Sequence, residues 1–185
     1  SVEAILLTHR HYDTCGAAPH LAECFDADIR IHEDAVAPIA GGDLFTTWAS
    51  RYDSDMPAIE ATGFTDGDQF DLGDAMIEVL HTPGHTMDAC SFFIAKKSAI
   101  ICGDLVPSSN NPARADLPTG NLLQMKSSLE RLLDLNPELV VCGRGEAIVG
   151  AEKCAQILQK HIESVQQRIE AEGALPKGWP KPAET

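Results

Sequence analysis

The chain has 185 residues, of which 44% are hydrophobic and 23% charged, ordinary values for a soluble protein with a single globular domain. Its formal net charge of −14 leaves no basic surface that would neutralise nucleic-acid phosphates or attract an anionic membrane. We therefore expect neither nucleic acid nor a membrane as a partner.

The lack of a recognisable targeting signal and the pattern of the cysteines together predict a cytoplasmic protein. No apolar run approaches the ~20 residues of a membrane span, and the first residues lack the pattern of a signal peptide. The six cysteines form no CxxC pair, and Cys90, Cys102, Cys142 and Cys154 lie in apolar strand or helix patterns. Such cysteines are typical of reduced, mostly buried thiols.

Apolar periodicity predicts strands and helices in the first part of the chain. Trp48 and Tyr52 are four residues apart in a turn-rich or helical segment, where they line a cleft or pack in the core. Strands are expected over residues 2–8 and 27–31, and helices over residues 15–25 and 33–39.

Short strands dominate the middle of the chain. Lys96 and Lys97 separate two apolar runs and predict a tight hairpin. Residues 107–120 are rich in Pro, Ser, Asn and Gly and predict a loop. Strand-like runs occupy residues 69–72, 76–81, 90–95, 98–102 and 138–142.

Two amphipathic helices complete the chain, one capped by Asn121 and one over residues 151–172. Because strands are followed by helices at both ends of the chain, we expect helices that cover sheets. The predicted domain spans residues 1–172, and residues 173–185, which contain three prolines, are expected to form a loose tail.

Residues 5–14 carry the first candidate site. An apolar run ends at His9, His11 and Asp13, which are spaced two residues apart. In an extended segment such side chains point to one face, so these three can converge just past a buried strand. Imidazole nitrogen and carboxylate oxygen are ligands that zinc, iron or manganese accept. The alternative is a polar loop that carries two histidines by chance.

Three further strand ends also carry polar groups. One strand runs into Pro83-Gly84-His85, where Pro-Gly suits a type II turn, and others end at Asp104 and at Arg144 between glycines. Taken singly, Asp104 is equally consistent with an ordinary turn aspartate, and His85 is more typical of an ordinary turn histidine. Together with the first motif they favour a metal cleft at one edge of a sheet.

These motifs resemble the metallo-β-lactamase superfamily, especially its hydroxyacylglutathione hydrolase and persulfide dioxygenase branches. The resemblance implies an α/β fold, a four-layer αββα sandwich with the metal cleft at one edge of two packed sheets. It places His9, His11 and His85 at the first metal position and Asp104 as a ligand between two metals. Asp13 falls at the second metal position.

Two departures from the family pattern remove ligands of the second metal. Thr14 and Arg144 stand where the family usually has histidine. A hydroxyl is a weak ligand, and a guanidinium has no lone pair to donate. We therefore predict one divalent ion, Zn or Fe, held by His9, His11, His85 and Asp104. Arg144 then either offsets the charge of nearby carboxylates or has drifted into solvent.

The chain begins inside the strand of the first motif, whereas the family has further strands before it. We expect either a fragment or a partner segment that supplies those strands, and the apolar sheet edge left without them would promote a homo-oligomer. The resemblance also implies a small-molecule substrate.

Three functions fit these residues. The first is a hydrolase of a thioester, lactone or other carboxylic ester, in which Asp13 or Asp104 accepts a proton and Arg144 stabilises an anion. The second is a mononuclear Fe(II) persulfide dioxygenase, because His9, His85 and Asp104 form a two-histidine, one-carboxylate set. The third is a non-catalytic binding protein that keeps the fold.

Overall fold

The computed structural model describes residues 1–107, 114–175 and 177–178. Part of the predicted loop over residues 107–120 and most of the predicted tail over residues 173–185 lie outside the described residues. Within the described part of the chain, no helix is both long enough and apolar enough to cross a membrane.

In the described residues, nine strands form two sheets. The first is a parallel sheet in the order β1-β2-β3, and the second has the order β4-β5-β6-β7-β8-β9, in which β7 and β8 are parallel and the other neighbours antiparallel. The strands are β1 (Ala4–Leu6), β2 (Asp28–His32), β3 (Thr62–Phe64), β4 (Gln69–Asp71), β5 (Met76–His81), β6 (Cys90–Ile94), β7 (Ala99–Ile101), β8 (Leu139–Val141) and β9 (Ile148–Val149).

Outside the gaps at 108–113, 176 and 179–185, five α-helices accompany the sheets, together with short 3-10 turns at Ala49–Tyr52, Ala95–Lys97 and Gly103–Leu105. The α-helices are α1 (Tyr12–Cys15), α2 (Ala18–Phe25), α3 (Glu33–Ala40), α4 (Leu122–Asp134) and α5 (Ala151–Glu170).

Three hydrophobic clusters lie between four layers. One joins α2 and α3 to the first sheet through residues such as Ile31 and Ile39. A second lies between the two sheets and contains Phe64 and Phe92. The third joins the second sheet to α4 and α5, with Leu129 fully buried. This arrangement of layers confirms the predicted αββα sandwich.

Local sequence explains where several elements begin. The Asn121 side chain accepts a hydrogen bond from the backbone N–H of Gln124 (3.0 Å), so it caps α4 as predicted. The predicted helix over residues 15–25 starts three residues late, because Pro19 in the first turn of α2 favours a new helix there. The predicted hairpin at Lys96 and Lys97 is confirmed by the antiparallel pairing of β6 and β7.

Two strands escaped prediction because they are short. The strand β3 has three residues with a central Gly63, and β9 has two residues. Neither is long enough to show an alternating pattern. Both depend on pairing with a neighbouring strand, β2 in one case and β8 in the other.

The turn before His85 packs tightly on α4. Gly84 has φ +136°, and a Cβ added there would lie 2.5 Å from the Cβ of Met125 and nearer still to that residue's backbone. A side chain at this position would therefore be strained in its backbone and would also push the helix away.

We expect Gly84→Ala to lower the free energy of unfolding by about 3 kcal/mol, because backbone strain and overpacking add. Gly67→Ala is the matched control, since Gly67 has φ +84° but nothing within 4 Å of an added Cβ. It should cost about 1 kcal/mol. Urea denaturation measures both, and equal losses for the two variants would contradict the packing argument.

His161 is buried in α5, and its Nε2 donates a hydrogen bond to the carbonyl of Pro107 (3.1 Å). Burial lowers its pKa below the usual 6.5. The unfolded chain therefore binds a proton at a pH where the folded chain does not, and this contribution to stability is full above pH 6.5 and lost as the pH falls.

The variant His161→Gln keeps an N–H donor but does not titrate. We expect the free energy of unfolding to fall less between pH 7.5 and 5.5 in this variant than in the wild type, as measured by urea denaturation. His20→Gln, at an exposed position of α2, serves as control. Parallel losses for wild type and His161→Gln would rule out His161 as a contributor.

Candidate metal centre

The candidate metal centre is built from the segments that follow β1, β5, β7 and β8. His9 and His11 follow β1, His85 lies in the turn after β5, Asp104 follows β7 and Arg144 follows β8. The hydrogen bond from the Gly143 N–H to the Gly103 carbonyl (2.8 Å) extends the pairing of β7 and β8 to these residues. The predicted grouping of strand ends is thus present.

Three buried histidines converge at this edge. His9, His11 and His85 can each offer one nitrogen such that these atoms lie within 4.8 Å of one another. Their ring centroids are 4.7–4.9 Å apart and the ring planes are nearly perpendicular. All three residues are at most 4% exposed, so the rings are shielded from bulk solvent.

Burial keeps the three imidazoles neutral. It is the largest cause that lowers the pKa of His9, His11 and His85, and for His11 the pKa falls to about 3. The positive charge that each ring would bring near its neighbours lowers the pKa of His9 and His11 further. Neutral imidazole is the form that binds metal ions.

The hydrogen bonds among the described residues cannot satisfy every nitrogen of the histidines, whereas a bound cation can. His85 Nδ1 donates to the Arg114 carbonyl (2.7 Å), so its Nε2 carries a lone pair and faces His11 Nδ1 at 3.0 Å. If His11 donates there, its own Nε2 remains an unpaired acceptor, and that atom is buried without a partner among the described residues. The other tautomer sets two lone pairs face to face. A divalent ion accepts such lone pairs, so this set of residues fits a metal.

Arg144 lies between the two carboxylates of the site. Its Nε donates to Asp104 Oδ2 (2.8 Å), and its Nη2 donates to Asp13 Oδ2. Burial opposes ionisation of Asp13, but hydrogen bonds from Arg144 and Tyr52 outweigh burial and lower its pKa. Bonds to both carboxylates likewise outweigh burial and raise the pKa of Arg144. Arg144 is therefore ion-paired in the structure.

Asp104 lies beside the three histidines, but it is not part of the group whose ligand atoms all lie within 4.8 Å of one another. Its Oδ2 lies 3.7 Å from His85 Nε2 and is shared with Arg144. Its Oδ1 packs against Gly143, where an added Cβ would lie 2.6 Å away. Thr14, in the position where the family has histidine, lies with its Oγ1 3.4 Å from His9 Nε2.

Aromatic residues flank the site. The Tyr52 hydroxyl donates to Asp13 Oδ2 (2.9 Å), and the Trp48 ring lies 6.1 Å from that of His11. The sequence pattern paired Trp48 with Tyr52, and their rings are 6.3 Å apart. The bond to Asp13 carried no sequence signal, because 39 residues separate the two partners.

A buried ion pair between Arg10 and Asp88 was also missed. The Arg10 Nε lies 2.6 Å from Asp88 Oδ1, and the two side chains are 2% and 0% exposed. Two positions in the sequence offered a signal. Arg10 is a charged residue between two candidate ligands, and Asp88 is an acidic residue three positions after the third candidate ligand.

Comparisons with known proteins find similar sequences among metallo-hydrolases. The chain is 32% identical over 146 residues to a probable metallo-hydrolase of Bacillus subtilis (strain 168), covering 77% of this chain and 68% of that protein. It is 28% identical over 183 residues to a hydroxyacylglutathione hydrolase of Hahella chejuensis (strain KCTC 2396), covering 97% and 62%. The chain thus spans about two thirds of the length of these curated relatives.

A solved structure shows the same fold. The crystal structure of TTHA1623 in a di-iron-bound form is 29% identical, with a TM-score of 0.69 over 83% of this chain and 75% of that chain. The family model of the metallo-beta-lactamase superfamily matches residues 1–144. The chain therefore belongs to the metallo-beta-lactamase superfamily.

Proposed function

We propose that the chain is a metal-dependent hydrolase of a thioester, lactone or other carboxylic ester, with a single divalent ion, Zn or Fe, held by His9, His11 and His85. The observation that carries this proposal is the convergence of three buried, neutral imidazoles within 4.8 Å. Membership of a superfamily that includes metallo-hydrolases and hydroxyacylglutathione hydrolases supports an ester or thioester substrate.

The chemistry follows from the ion and from the residues beside it. When bound, a divalent ion lowers the pKa of a coordinated water to ~7 and polarises a substrate carbonyl. Asp104 faces the histidines, and its carboxylate can orient water and accept a proton there. Asp13 is bonded to both Arg144 and Tyr52, so its role is to hold the guanidinium in place.

Arg144 supports a count of one ion. Its guanidinium donates to Asp13 and Asp104, the two carboxylates that a second ion would require. A fixed cation between them neutralises charge that a second metal would otherwise balance. The side chain is 61% exposed, so the same guanidinium can also face an anionic group of the substrate.

A second candidate function is a mononuclear Fe(II) dioxygenase that oxidises a low-molecular-weight persulfide. The observation that favours it is the position of Asp104, whose Oδ2 lies 3.7 Å from His85 Nε2. Two histidines and this carboxylate make a ligand set that iron oxygenases use. The similar crystal structure of TTHA1623, which is in a di-iron-bound form, supports iron as a candidate metal.

The first prediction for this site concerns metal content. Elemental analysis of protein purified without added metal should give about one zinc or iron per chain, and His85→Ala should lose most of it because a ligand is removed. His81→Ala is the control, since His81 bonds the Met87 carbonyl and stacks on His32. Unchanged metal content in His85→Ala would refute the proposed ligands.

Activity assays separate the two functions. The hydrolase should cleave members of a panel that contains a hydroxyacylglutathione thioester, a lactone and an aryl ester. It should show no persulfide-dependent oxygen uptake. Iron as the bound element together with such oxygen uptake would replace the first function with the second. Turnover that is unchanged in His85→Ala would remove both.

A second prediction concerns the count of ions. In the double variant Thr14→His/Arg144→His, two imidazoles join the carboxylates of Asp13 and Asp104, so the metal content should rise from about one to about two per chain. Thr14→His alone keeps the guanidinium in place and should remain near one. Two ions in the wild type, or one ion in the double variant, would show that Arg144 does not set the count.

A further inference from the structure

The Arg10–Asp88 pair joins the two segments that carry the three histidines. Arg10 lies between His9 and His11, and Asp88 lies three residues after His85. The two side chains are 2% and 0% exposed, so neither charge is solvated by bulk water. Charges buried in this way must be satisfied by the protein itself.

Asp88 holds the backbone of the first histidine segment as well as its side chain. One carboxylate oxygen, Oδ1, accepts from the Arg10 Nε at 2.6 Å, and the other, Oδ2, accepts from the Arg10 backbone N–H at 2.9 Å. This N–H belongs to the peptide bond that joins His9 to Arg10. Asp88 therefore holds the backbone directly after His9 and, because it binds both the backbone and the side chain of Arg10, the residue directly before His11.

Arg10 extends the connection to two more segments. Its Nη2 donates to the Asp34 carbonyl (2.8 Å) in the first turn of α3, and its Nη1 donates to Thr46 Oγ1 (3.4 Å). The backbone around it is held as well, because the Cys15 thiol donates to the Arg10 carbonyl (3.1 Å). These bonds leave the segment little freedom to move relative to the rest of the fold.

We propose that Arg10 and Asp88 are positioning residues. They hold His9 and His11 close enough to His85 for the three imidazoles to bind one ion. This inference rests on the proposed function, because it assumes that the three histidines bind an ion. The pair itself does not touch the ion. It acts through the peptide between two ligands, and residues that orient ligands in this way typically change metal affinity by about 10–100-fold when they are replaced.

The test measures the affinity of the metal-free protein for Zn²⁺ by competition with a metal-binding dye, and the absorption spectrum after Co²⁺ is added. Asp88→Asn keeps the shape of the side chain but removes its charge. We expect Zn²⁺ binding at least tenfold weaker than in the wild type and a changed Co²⁺ spectrum. Arg10→Lys keeps the charge but cannot make all the bonds of a guanidinium, so a smaller loss is expected.

Two controls separate positioning from general stability. Asp66→Asn removes a carboxylate with the same bonding pattern, since Asp66 accepts the His81 backbone N–H and pairs with Arg131. Val165→Ala removes buried volume from α5, far from the histidine segments in sequence. Both should lower the midpoint of thermal unfolding while Zn²⁺ affinity stays within about threefold of the wild type.

The outcomes are distinct. A wild-type chain that binds no ion removes the proposed function together with this inference. A wild type that binds Zn²⁺ and an Asp88→Asn variant within twofold of it overturn the positioning role alone. A Val165→Ala variant that loses as much Zn²⁺ affinity as Asp88→Asn would also overturn the positioning role. If neither Asp88→Asn nor Arg10→Lys folds in the presence of Zn²⁺, the pair serves folding in general, and the positioning role is also overturned.

Discussion

Three imidazoles can lie buried within 4.8 Å of one another only while they are neutral, and the rest of the structure is arranged around this constraint. A proton on any one of them would bring an unsolvated positive charge against the other two. Burial prevents this, and it also leaves nitrogen lone pairs that need a hydrogen-bond donor or a cation. The fold meets both demands by ending several strands at one edge, where polar groups can meet without entering a hydrophobic cluster.

Charge is balanced beside the histidines by the chain itself. Asp13 and Asp104 come from segments 91 positions apart, and Arg144 donates to both of them. Gly143 allows the close approach of the segments that carry Arg144 and Asp104, because a Cβ added there would lie 2.6 Å from Asp104 Oδ1 and 2.8 Å from the carbonyl carbon of Gly103. In this member of the metallo-beta-lactamase superfamily, Asp13 and Asp104 are thus paired by an arginine of the same chain.

Much of the fold and the three histidines could be predicted from sequence, because each left a local pattern. The spacing of His9 and His11 after an apolar run, and of His85 after Pro-Gly, reflects the geometry of strands and turns. The Arg10–Asp88 bond joins residues 78 positions apart, so their positions beside the candidate ligands were visible in the sequence but their pairing was not. The short strand β3 was missed for a related reason, since its stability comes from pairing with β2 rather than from its own residues.

The tethered guanidinium of Arg144 has a consequence for metal starvation. A dissociable ion leaves a protein when chelating agents or scarcity lower its free concentration, and carboxylates that it held then repel each other. A cation bonded covalently to the polypeptide cannot be withdrawn. Arg144 therefore supplies Asp13 and Asp104 with a counter-charge that does not depend on the supply of any ion.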